Sequence, residues 1–572
     1  MKAEKSDIIR LLEQIAVYME LKGENHFKIA AFRKAAAALE ADEREVSEID
    51  DFLALPHIGK TTASVIEEYL TTGKSEVFDQ LKAEIPKGLI PMLQIQGLGA
   101  RKISKLYREL GITDVNALKK ACEEGEVEKL KGFGAISQSN ILDAIERLGA
   151  GQGRIAIGQM VSPLLEIEET LSQLKYVEKF SRAGSARRFE EKLKDLDYVI
   201  ATFNPKFVKE QILQLNKMVE AVAVGDTKIT IKLKNAGGCQ VDFRLVSPDQ
   251  YATALHHFTG SKQHNVRMRQ LAKQRGEKIS EYGVEQLGMG EVFTFPSEES
   301  FFHHFGLPYI PPEIREDGSE IELYKGSAFI QLDDIQGDLH MHTTWSDGKA
   351  SVEKMVNACR KKGYQYMAVT DHSQSLKVAN GLTQERLLEQ MEEIRRLNEK
   401  YHDILILSGI EMEILPDGSL DFDDGLLSQL DFVIASIHSG FGQPQRTIMK
   451  RLRQALENPH VDMIAHPTGR LIGKRQGYDV DIDLLFQWAK ETNTILELNG
   501  DPNRLDLSAK NVRKAQAAGV KIAINTDAHR VEQLDGIAFG VGTARKGWIE
   551  KSNVLNTQPP EQLLRFLKEK RV

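Results

Sequence analysis

Seven short apolar runs beyond residue 330 carry a histidine, aspartate or glutamate at or near their ends. A buried parallel strand reads as a nearly continuous apolar run, and the active site of a β/α barrel collects at the C-terminal ends of its strands. The side chains that this pattern brings together are His340, His342, Asp347, His372, Glu411, His438, His466, Asp527 and His529. Imidazole and carboxylate together suit Zn²⁺, Mn²⁺ or Fe²⁺, and so many ligands exceed the capacity of one ion. The pattern therefore predicts two or three metals and hydrolytic chemistry.

A second group of carboxylates lies in the middle of the chain. Asp195 and Asp197 open an apolar run, where alternate residues share one face of a strand, and Asp242 lies in another strand candidate. Three carboxylates on neighbouring strands can hold two Mg²⁺ or Mn²⁺ ions, which would activate a 3′-hydroxyl and stabilise a leaving pyrophosphate. The Asp-x-Asp pair alone is more often a solvated strand edge. The turn Gly184-Ser185 with Arg188 just upstream could hold a triphosphate, and this favours the catalytic interpretation.

Three glycine-centred turns interrupt a helical pattern in residues 1–150, and their glycines are Gly59, then Gly97 and Gly99, then Gly132 and Gly134. A glycine before a helix exposes backbone N–H groups at the positive end of the helix dipole and lets a phosphate come close. The turns therefore predict DNA contacts that do not depend on base sequence. His57 stands where the first turn would be expected to have a glycine. The basic residues Lys28, Arg33 and Lys60 either bind a 5′-phosphate or are solvated charges on the surface of helices.

The elements that must position these groups belong to a chain of 572 residues, which predicts about three or four domains. The alternation of apolar runs and helical segments beyond residue 335 predicts a parallel α/β domain, residues 154–250 are mixed, and residues 251–305 read as mostly helical. Three distant cysteines exclude a disulfide framework. The net charge of −8 excludes a basic nucleic-acid binder in bulk. No stretch is long enough for a membrane span, which predicts no membrane contact, and the start of the chain lacks an apolar signal core, which predicts a cytoplasmic protein. The protein is also expected to be nucleoid-associated and a monomer.

These motifs resemble two known families. The resemblance of about the first 315 residues is to the family X DNA polymerases, through Ala31-Phe32-Arg33-Lys34-Ala35, the three glycine turns, Gly184-Ser185, Asp195-x-Asp197, Val241-Asp242-Phe243-Arg244, Phe258-Thr259-Gly260-Ser261 and Ser280-Glu281-Tyr282-Gly283. The remainder resembles the PHP (polymerase and histidinol phosphatase) domain, through Asp338 to His342, Thr370 to Ser373, Gly409 to Glu411, Ser436 to His438, Ala465 to Pro467 and Thr526 to His529.

The resemblance implies a multi-domain fold: all-α helix-hairpin-helix domains, an α+β nucleotidyltransferase palm and thumb, and a C-terminal distorted (β/α)7 barrel. The implied domains are a lyase-like DNA-binding domain (1–85), fingers (86–150), palm (151–250), thumb (251–316), linker (317–334) and PHP domain (335–572). The implied site residues are the metal-binding Asp195, Asp197 and Asp242; Gly184, Ser185, Arg188, Phe258, Gly260, Asn265 and Arg269 for the nucleotide; and Lys28, Arg33, Lys60 and the turn glycines for DNA.

Two departures from the family pattern matter. The run from Phe189 to Lys194 replaces the small residues that are common before the catalytic aspartate. Some members also use an N-terminal lysine as a Schiff-base nucleophile that excises a 5′-deoxyribose phosphate. Val65 stands at that place here, and valine cannot form an imine, so weak or no lyase activity is expected.

The function that the resemblance implies is a DNA repair polymerase that fills short gaps in gapped or primer-template DNA with deoxynucleoside triphosphates. Its PHP domain would be a metal-dependent 3′–5′ exonuclease, with apurinic-site endonuclease or 3′-phosphatase activity at the same metals as further options. Two alternatives stay open: a small-molecule phosphatase tethered to DNA by its N-terminal half, and a DNA-end-binding scaffold.

Overall fold

The computed structural model describes residues 5–571 apart from 43, 45, 47–48, 50, 94, 96–97, 135–136, 143, 146–153, 215–218 and 234–238. The chain divides into two compact units, residues 1–153 and 154–572. Among the described helices, none is long and apolar enough to cross a membrane.

The first unit is helical throughout its described part, as the sequence predicts. Its helices are Lys5–Lys22, His26–Ala41, Lys60–Thr72, Glu76–Glu84, Leu89–Met92, Ala100–Leu110 and Val115–Glu123, with 3-10 turns at Phe52–Ala54 and Val127–Lys129. The first helix buries Ile8, Leu12 and Ile15, which lie on one face at helical spacing. Asn25 and Ser75 cap the helices that follow them by accepting hydrogen bonds from backbone N–H groups.

The second unit begins with a five-stranded sheet. The strands lie in the order Lys179–Arg182, Asp195–Ala201, Gln240–Val246, Lys228–Leu233 and Val219–Val224, and a separate pair joins Ile155–Ala156 to Lys192–Leu193. The accompanying helices are Ile157–Gln173, Gly184–Arg187 and Pro205–Leu213. The two central strands, 195–201 and 240–246, run parallel with Asp197 directly opposite Asp242. This register brings the two predicted metal-binding strands side by side.

Residues 251–334 form a helical module with a small sheet. Its helices are Tyr251–Thr259, Lys262–Gln274, Glu298–His304 and Glu320–Leu323, and its antiparallel strands are Glu277–Ile279, Val284–Gln286 and Val292–Phe293. The sheet interrupts the largely helical segment that the sequence predicts, because Gly276 and Gly283 take positive φ values of 72° and 154° and turn the chain. The expected linker is packed: Tyr324 and Phe329 are buried, and the N–H of Ile330 donates to the carbonyl of Ile549 at 3.2 Å.

The last module is a seven-stranded parallel barrel, which confirms the predicted (β/α)7 fold. Its strands pair in chain order: Gly337–Asp338, Tyr366–Val369, Leu405–Glu413, Phe432–Ser436, Met463–Ile464, Ile495–Asn499 and Ile522–Asn525. Its longer helices are Val352–Lys361, Gln384–Lys400, Gln445–Glu457, Ile482–Glu491, Ala509–Ala518, Ile537–Lys546 and Pro560–Lys570. A parallel bridge between Met341 and Ala528 joins the first strand to the last. The strands are buried on both faces, which explains their continuous apolar sequence.

Candidate metal centre and nucleotide cavity

The nine predicted ligand side chains of the barrel gather in one cluster at the C-terminal ends of its strands. Three groups have donor atoms within 4.8 Å of one another: His342, Asp347, His372 and His529; His340, His342 and Asp527; and His372, Glu411 and His438. His466 joins the cluster because its Nε2 lies 2.9 Å from Oε1 of Glu411. The sharing of His342 and His372 between groups makes the cluster continuous, as a site for neighbouring ions requires.

Glu411 lies at the centre of this cluster. Its strand, Leu405–Glu413, continues for two residues beyond it, so Glu411 lies within the strand. Its carboxylate oxygens lie 2.8 Å from Nδ1 of His372 and 3.4 Å from Nε2 of His438. Burial acts to raise the pKa of Glu411, but the surrounding histidines outweigh it and hold the pKa well below its usual range. Glu411 is therefore an anion at neutral pH.

Two buried ring nitrogens of the cluster lack hydrogen bonds. Among the described residues, Nδ1 of His342 and Nδ1 of His466 have no hydrogen-bond partner, although both residues are almost completely buried. Unsatisfied buried groups are costly in a folded protein. Coordination to a cation would satisfy the lone pairs, so the donor set fits a metal site of imidazole and carboxylate ligands.

A surrounding layer of residues orients the ligands. Nδ1 of His340 lies 2.8 Å from Oε1 of Glu497, and Nδ1 of His438 lies 2.9 Å from Oε2 of Glu413. Such partners fix the ring orientation of a ligating histidine. Nε of Arg504 lies 3.3 Å from Oδ2 of Asp527, so a cation borders the cluster. Sequence reasoning missed all three partners, although the position of Glu497 within the apolar segment 494–499 was a signal that could have found it.

Two ligand positions have unusual backbones. His466 and Asp527 take positive φ values of 28° and 54°. Residues other than glycine rarely adopt this region, and such positions concentrate at functional sites where the surrounding structure enforces them. Here the conformation turns both side chains into the cluster.

We expect chelation to destabilise the barrel. Metals that bind only the folded state at about 100 times their dissociation constant contribute about 2.7 kcal/mol. For a domain of this size that corresponds to a shift of about 5 to 10 °C in the melting temperature. Differential scanning calorimetry of the full chain with Mn²⁺ and after EDTA treatment measures the shift, and the barrel mutant His340→Ala/His342→Ala should lose most of it. Equal melting temperatures of the wild type under both conditions would contradict a resident metal.

The predicted nucleotide residues lie around a separate cavity in the five-stranded module. The cavity has a volume of about 460 Å³, within the usual range for small-molecule sites, and its lining includes Gly184, Ser185, Arg188, Asp195 and Asp197. Gly184 has a φ of +56°, and a Cβ there would lie 2.3 Å from Oδ2 of Asp197. Only glycine fits this turn, which brings its backbone against the carboxylate.

The carboxylates of this module repel one another. Burial, together with the charges of Asp195 and Asp242, raises the pKa of Asp197 to about 6. Both oxygens of Asp242 are engaged, one with Oγ1 of Thr230 and the other with Nζ of Lys228, each at 2.6 Å. Of the described residues, only those in the barrel bring three ligand atoms within 4.8 Å of one another. A metal between the aspartates would relieve their repulsion.

None of the remaining nucleotide candidates lines this cavity. A Cβ at Gly260 would lie 3.4 Å from Nη1 of Arg188, so that glycine adjoins the cavity. Phe258 lines a different pocket, beneath the guanidinium of Arg244. Asn265 and Arg269 lie on helix 262–274 and contact backbone carbonyls. Arg154, which sequence reasoning missed, also lines the cavity.

The glycine turns of the first unit have open surroundings. Gly59 and Gly99 each precede the first residue of a helix, and a Cβ on either, or on Gly132 or Gly134, would meet no atom within 4 Å. A ligand can therefore reach their backbone. His57 and Gly132 take positive φ values of 67° and 94°, so His57 adopts the conformation of a turn glycine. Gly97 lies outside the described residues.

The basic candidates of this unit are exposed and partly paired. Lys28 and Arg33 pair with Glu24 and Glu20 at 3.1 and 2.6 Å, and Lys60 begins the helix after the first turn. Val65 is buried in that helix, with only 2% of its surface exposed. The geometry leaves Lys28 and Arg33 within reach of solvent anions and keeps Val65 in the core.

Comparisons with known proteins cover most of these modules. Family models match a helix-hairpin-helix domain at residues 3–75, a DNA polymerase beta thumb at 254–316 and a PHP domain at 338–501. The chain is 57% identical over 565 residues, 99% of both chains, to a protein of Bacillus subtilis (strain 168) named "DNA polymerase/3′-5′ exonuclease PolX". It is also 31% identical over 249 residues to a protein of Thermoanaerobacter sp. (strain X514) named "Probable phosphatase", which covers 41% of this chain and 95% of that protein.

The two relatives match different extents of the chain. The phosphatase match spans less than half of it, whereas the Bacillus match includes every module described above, in the same order. Identity of this degree over the whole length shows common descent. The chain accordingly belongs to the bacterial family X DNA polymerases that carry a C-terminal PHP domain.

Proposed function

We propose that the chain is a DNA repair polymerase that fills short gaps by template-directed nucleotidyl transfer and trims 3′ ends with its PHP domain. The observation that carries this proposal is the presence, in one chain, of a nucleotide-sized cavity beside Asp195 and Asp197 and of the nine-ligand cluster in the barrel. The Bacillus subtilis relative carries both activities in its printed name. A tethered small-molecule phosphatase or a scaffold would have no use for the cavity.

In the polymerase module, Asp195, Asp197 and Asp242 would hold two Mg²⁺ or Mn²⁺ ions. When bound, these ions would make the 3′-hydroxyl more acidic and would neutralise negative charge on the leaving pyrophosphate. The backbone at Gly184, which lies next to Asp197, and the guanidinium of Arg188 would hold the triphosphate. The residues that would shape the sugar and base pockets are Phe258, Gly260, Asn265 and Arg269.

In the PHP domain, the cluster would hold two or three Mn²⁺, Zn²⁺ or Fe²⁺ ions. Bound together, they would supply a hydroxide nucleophile at neutral pH. Glu497 and Glu413 would fix the rings of His340 and His438, and Arg504 would attract a phosphodiester to the rim of the cluster. The backbone N–H groups at Gly59, Gly99 and Gly134 in the helix-hairpin-helix turns would bind DNA phosphates. These phosphates would belong to the strand opposite the primer or to the DNA on the far side of the gap.

The test is a labelled gapped duplex incubated with Mn²⁺, with and without deoxynucleoside triphosphates. We expect the primer to lengthen when the triphosphates are present and to shorten when they are absent. A primer that never lengthens would contradict the polymerase assignment, and one that never shortens would contradict the exonuclease assignment.

A second candidate activity for the PHP domain is removal of a 3′-phosphate or incision at an apurinic site. The observation that favours it is the match between this domain alone and a protein named as a phosphatase. Primers that end in a 3′-phosphate, and duplexes with one apurinic site, test it under the same conditions. Loss of the phosphate without loss of the terminal nucleotide would establish phosphatase activity.

We further propose that the chain has no Schiff-base lyase activity at the Val65 position. Because Val65 is buried and has no amine, borohydride should trap no covalent complex with a 5′-deoxyribose phosphate. Gel electrophoresis of the trapped mixture measures this, with a chain of known lyase activity as the positive control. A trapped complex would contradict this expectation. If it still formed after Lys60→Ala, the nucleophile would have to be an amine other than that of Lys60.

A further inference from the structure

The segment Phe189–Glu191, which departs from the family pattern, contacts the barrel. Phe189 has a positive φ of 53° and points its ring at helix Ile537–Lys546, here called the docking helix. A Cβ on Gly542 of that helix would come within 2.2 Å of the ring, and the ring centroid lies 6.2 Å from that of Phe539. The large residue therefore fits a notch in the PHP domain that a glycine provides.

The next residues of the segment form ion pairs with the barrel. Arg470 binds Glu191 through two nitrogens, at 2.7 and 3.2 Å. Lys546, the last residue of the docking helix, places Nζ 3.1 Å from Oε1 of Glu190 and also pairs with Glu316. The same Nζ lies 3.5 Å from the carbonyl oxygen of Arg188. One lysine of the PHP domain thus contacts three residues of the polymerase half.

These three residues border the nucleotide cavity. Arg188, Glu190 and Glu316 all line it, beside Asp195 and Asp197. Glu190 and Glu316 are carboxylates without a part in the metal chemistry, and both face the space that a triphosphate would enter. Lys546 is 11% exposed, does not line the cavity and pairs with both carboxylates. Their charges would otherwise repel the incoming nucleotide.

Arg188 is the group most affected by this neighbourhood. Oε1 of Glu190 lies 4.0 Å from Nε of Arg188, and within the described part of the chain that Nε has no hydrogen-bond partner. Glu190 lies closer to Nζ of Lys546, at 3.1 Å, than to the guanidinium of Arg188, which donates through Nη1 to the carbonyl of Thr259. Without the lysine, Glu190 would pair with Arg188 and compete with the triphosphate for it.

We propose that Lys546 is a positioning residue for nucleotide binding, through which the PHP domain sets the affinity of the polymerase cavity for deoxynucleoside triphosphates. The proposal rests on the proposed function of that cavity. A salt bridge that only stabilised the domain interface would leave nucleotide affinity unchanged once the protein is folded. The two roles therefore differ in their effect on KM.

The experiment measures gap filling by the full chain at varied triphosphate concentration, for wild type and Lys546→Met. We expect the KM for the nucleotide to rise about tenfold, kcat to stay within about twofold, and 3′–5′ shortening without nucleotides to be unchanged. Lys551→Met is the matched control, since Lys551 lies in the same domain as Lys546 and forms a 2.8 Å ion pair with Asp334, and neither of these two residues lines the cavity. It should leave KM unchanged. Lys546→Arg should also retain the wild-type KM.

The decisive variant is the double substitution Lys546→Met/Glu190→Gln. If Glu190 is the group that Lys546 restrains, removing its charge should return KM to within about threefold of the wild type. An unchanged KM in Lys546→Met, or a double variant as weak as the single one, would overturn the proposal. A wild type that does not extend the primer would instead refute the proposed function.

A second variant covers the case in which Lys546→Met does not fold. Glu190→Gln/Glu316→Gln keeps Lys546 but removes both of its partners, which leaves an uncompensated positive charge beside the cavity. The proposal requires the KM for the nucleotide to fall below that of the wild type, by about threefold. A KM that rises or stays the same would contradict it.

Discussion

Replacing Asp195 and Asp197 by alanine is expected to abolish nucleotide addition while leaving 3′–5′ shortening intact. Both side chains lie on the strand that borders the nucleotide cavity, and Asp197 faces Asp242 across the parallel pair. Their removal would leave the triphosphate and the 3′-hydroxyl without charge stabilisation, which is worth about a hundredfold or more in rate. Primer extension on a gapped duplex measures the loss, and shortening of the same primer without nucleotides serves as the internal control.

A matched substitution tests whether the effect is specific. Asp226→Ala removes an exposed aspartate from the same module, where it pairs weakly with Lys209 at 3.4 Å. It should leave extension within about twofold of the wild type, because exposed ion pairs contribute little. If the double variant retained extension, the polymerase site would have to lie elsewhere. If it lost shortening as well, the two reactions would share one centre.

Replacing His340 and His342 by alanine is expected to have the opposite effect. His342 belongs to two of the three ligand groups, and Nδ1 of His340 is held by Glu497, so the pair removes ligands from the centre of the cluster. We expect shortening of the primer to fall by about a hundredfold or more and extension to continue. The products of both reactions are resolved on one denaturing gel with Mn²⁺ present.

The control for this variant is His402→Ala, which removes an exposed histidine of the same domain. It should retain shortening at the wild-type rate. Retention of shortening in His340→Ala/His342→Ala would contradict the assignment of the exonuclease to the barrel. Simultaneous loss of extension would show that the substitutions disturb the polymerase half through the shared interface, which the melting temperature would reveal.

The ligand cluster could be predicted because its signals are local. Each strand of the barrel is a short apolar run. The residue that follows the run therefore lies at the C-terminal end of the strand, where the active site of a barrel collects. His340, His372 and Asp527 could therefore be named without knowing the order of the strands. The same holds for Asp195 and Asp197, whose alternation places both on one strand face. The fold class and the family followed from these motifs and are confirmed.

Other features could not be predicted, because they depend on pairs far apart in the chain. Nothing near Glu497 in sequence shows that it holds His340, 157 residues away. Residues 317–334 are predicted to form a linker, yet Asp334 pairs with Lys551 of the barrel at 2.8 Å. The individual ligand, nucleotide and DNA assignments and the domain boundaries stay predictions that the experiments above test.

The sequence by itself determined which residues are candidate metal ligands, where the carboxylate pair lies and the order of the modules, because periodicity and strand-end position are properties of neighbouring residues. Only the tertiary structure decided what surrounds them. It placed Phe189 against Gly542 and brought Lys546 to Glu190, 356 residues away. The physical reason is that burial and charge act through space. A residue that departs from its family motif is therefore explained only by the surface that it contacts in the folded chain.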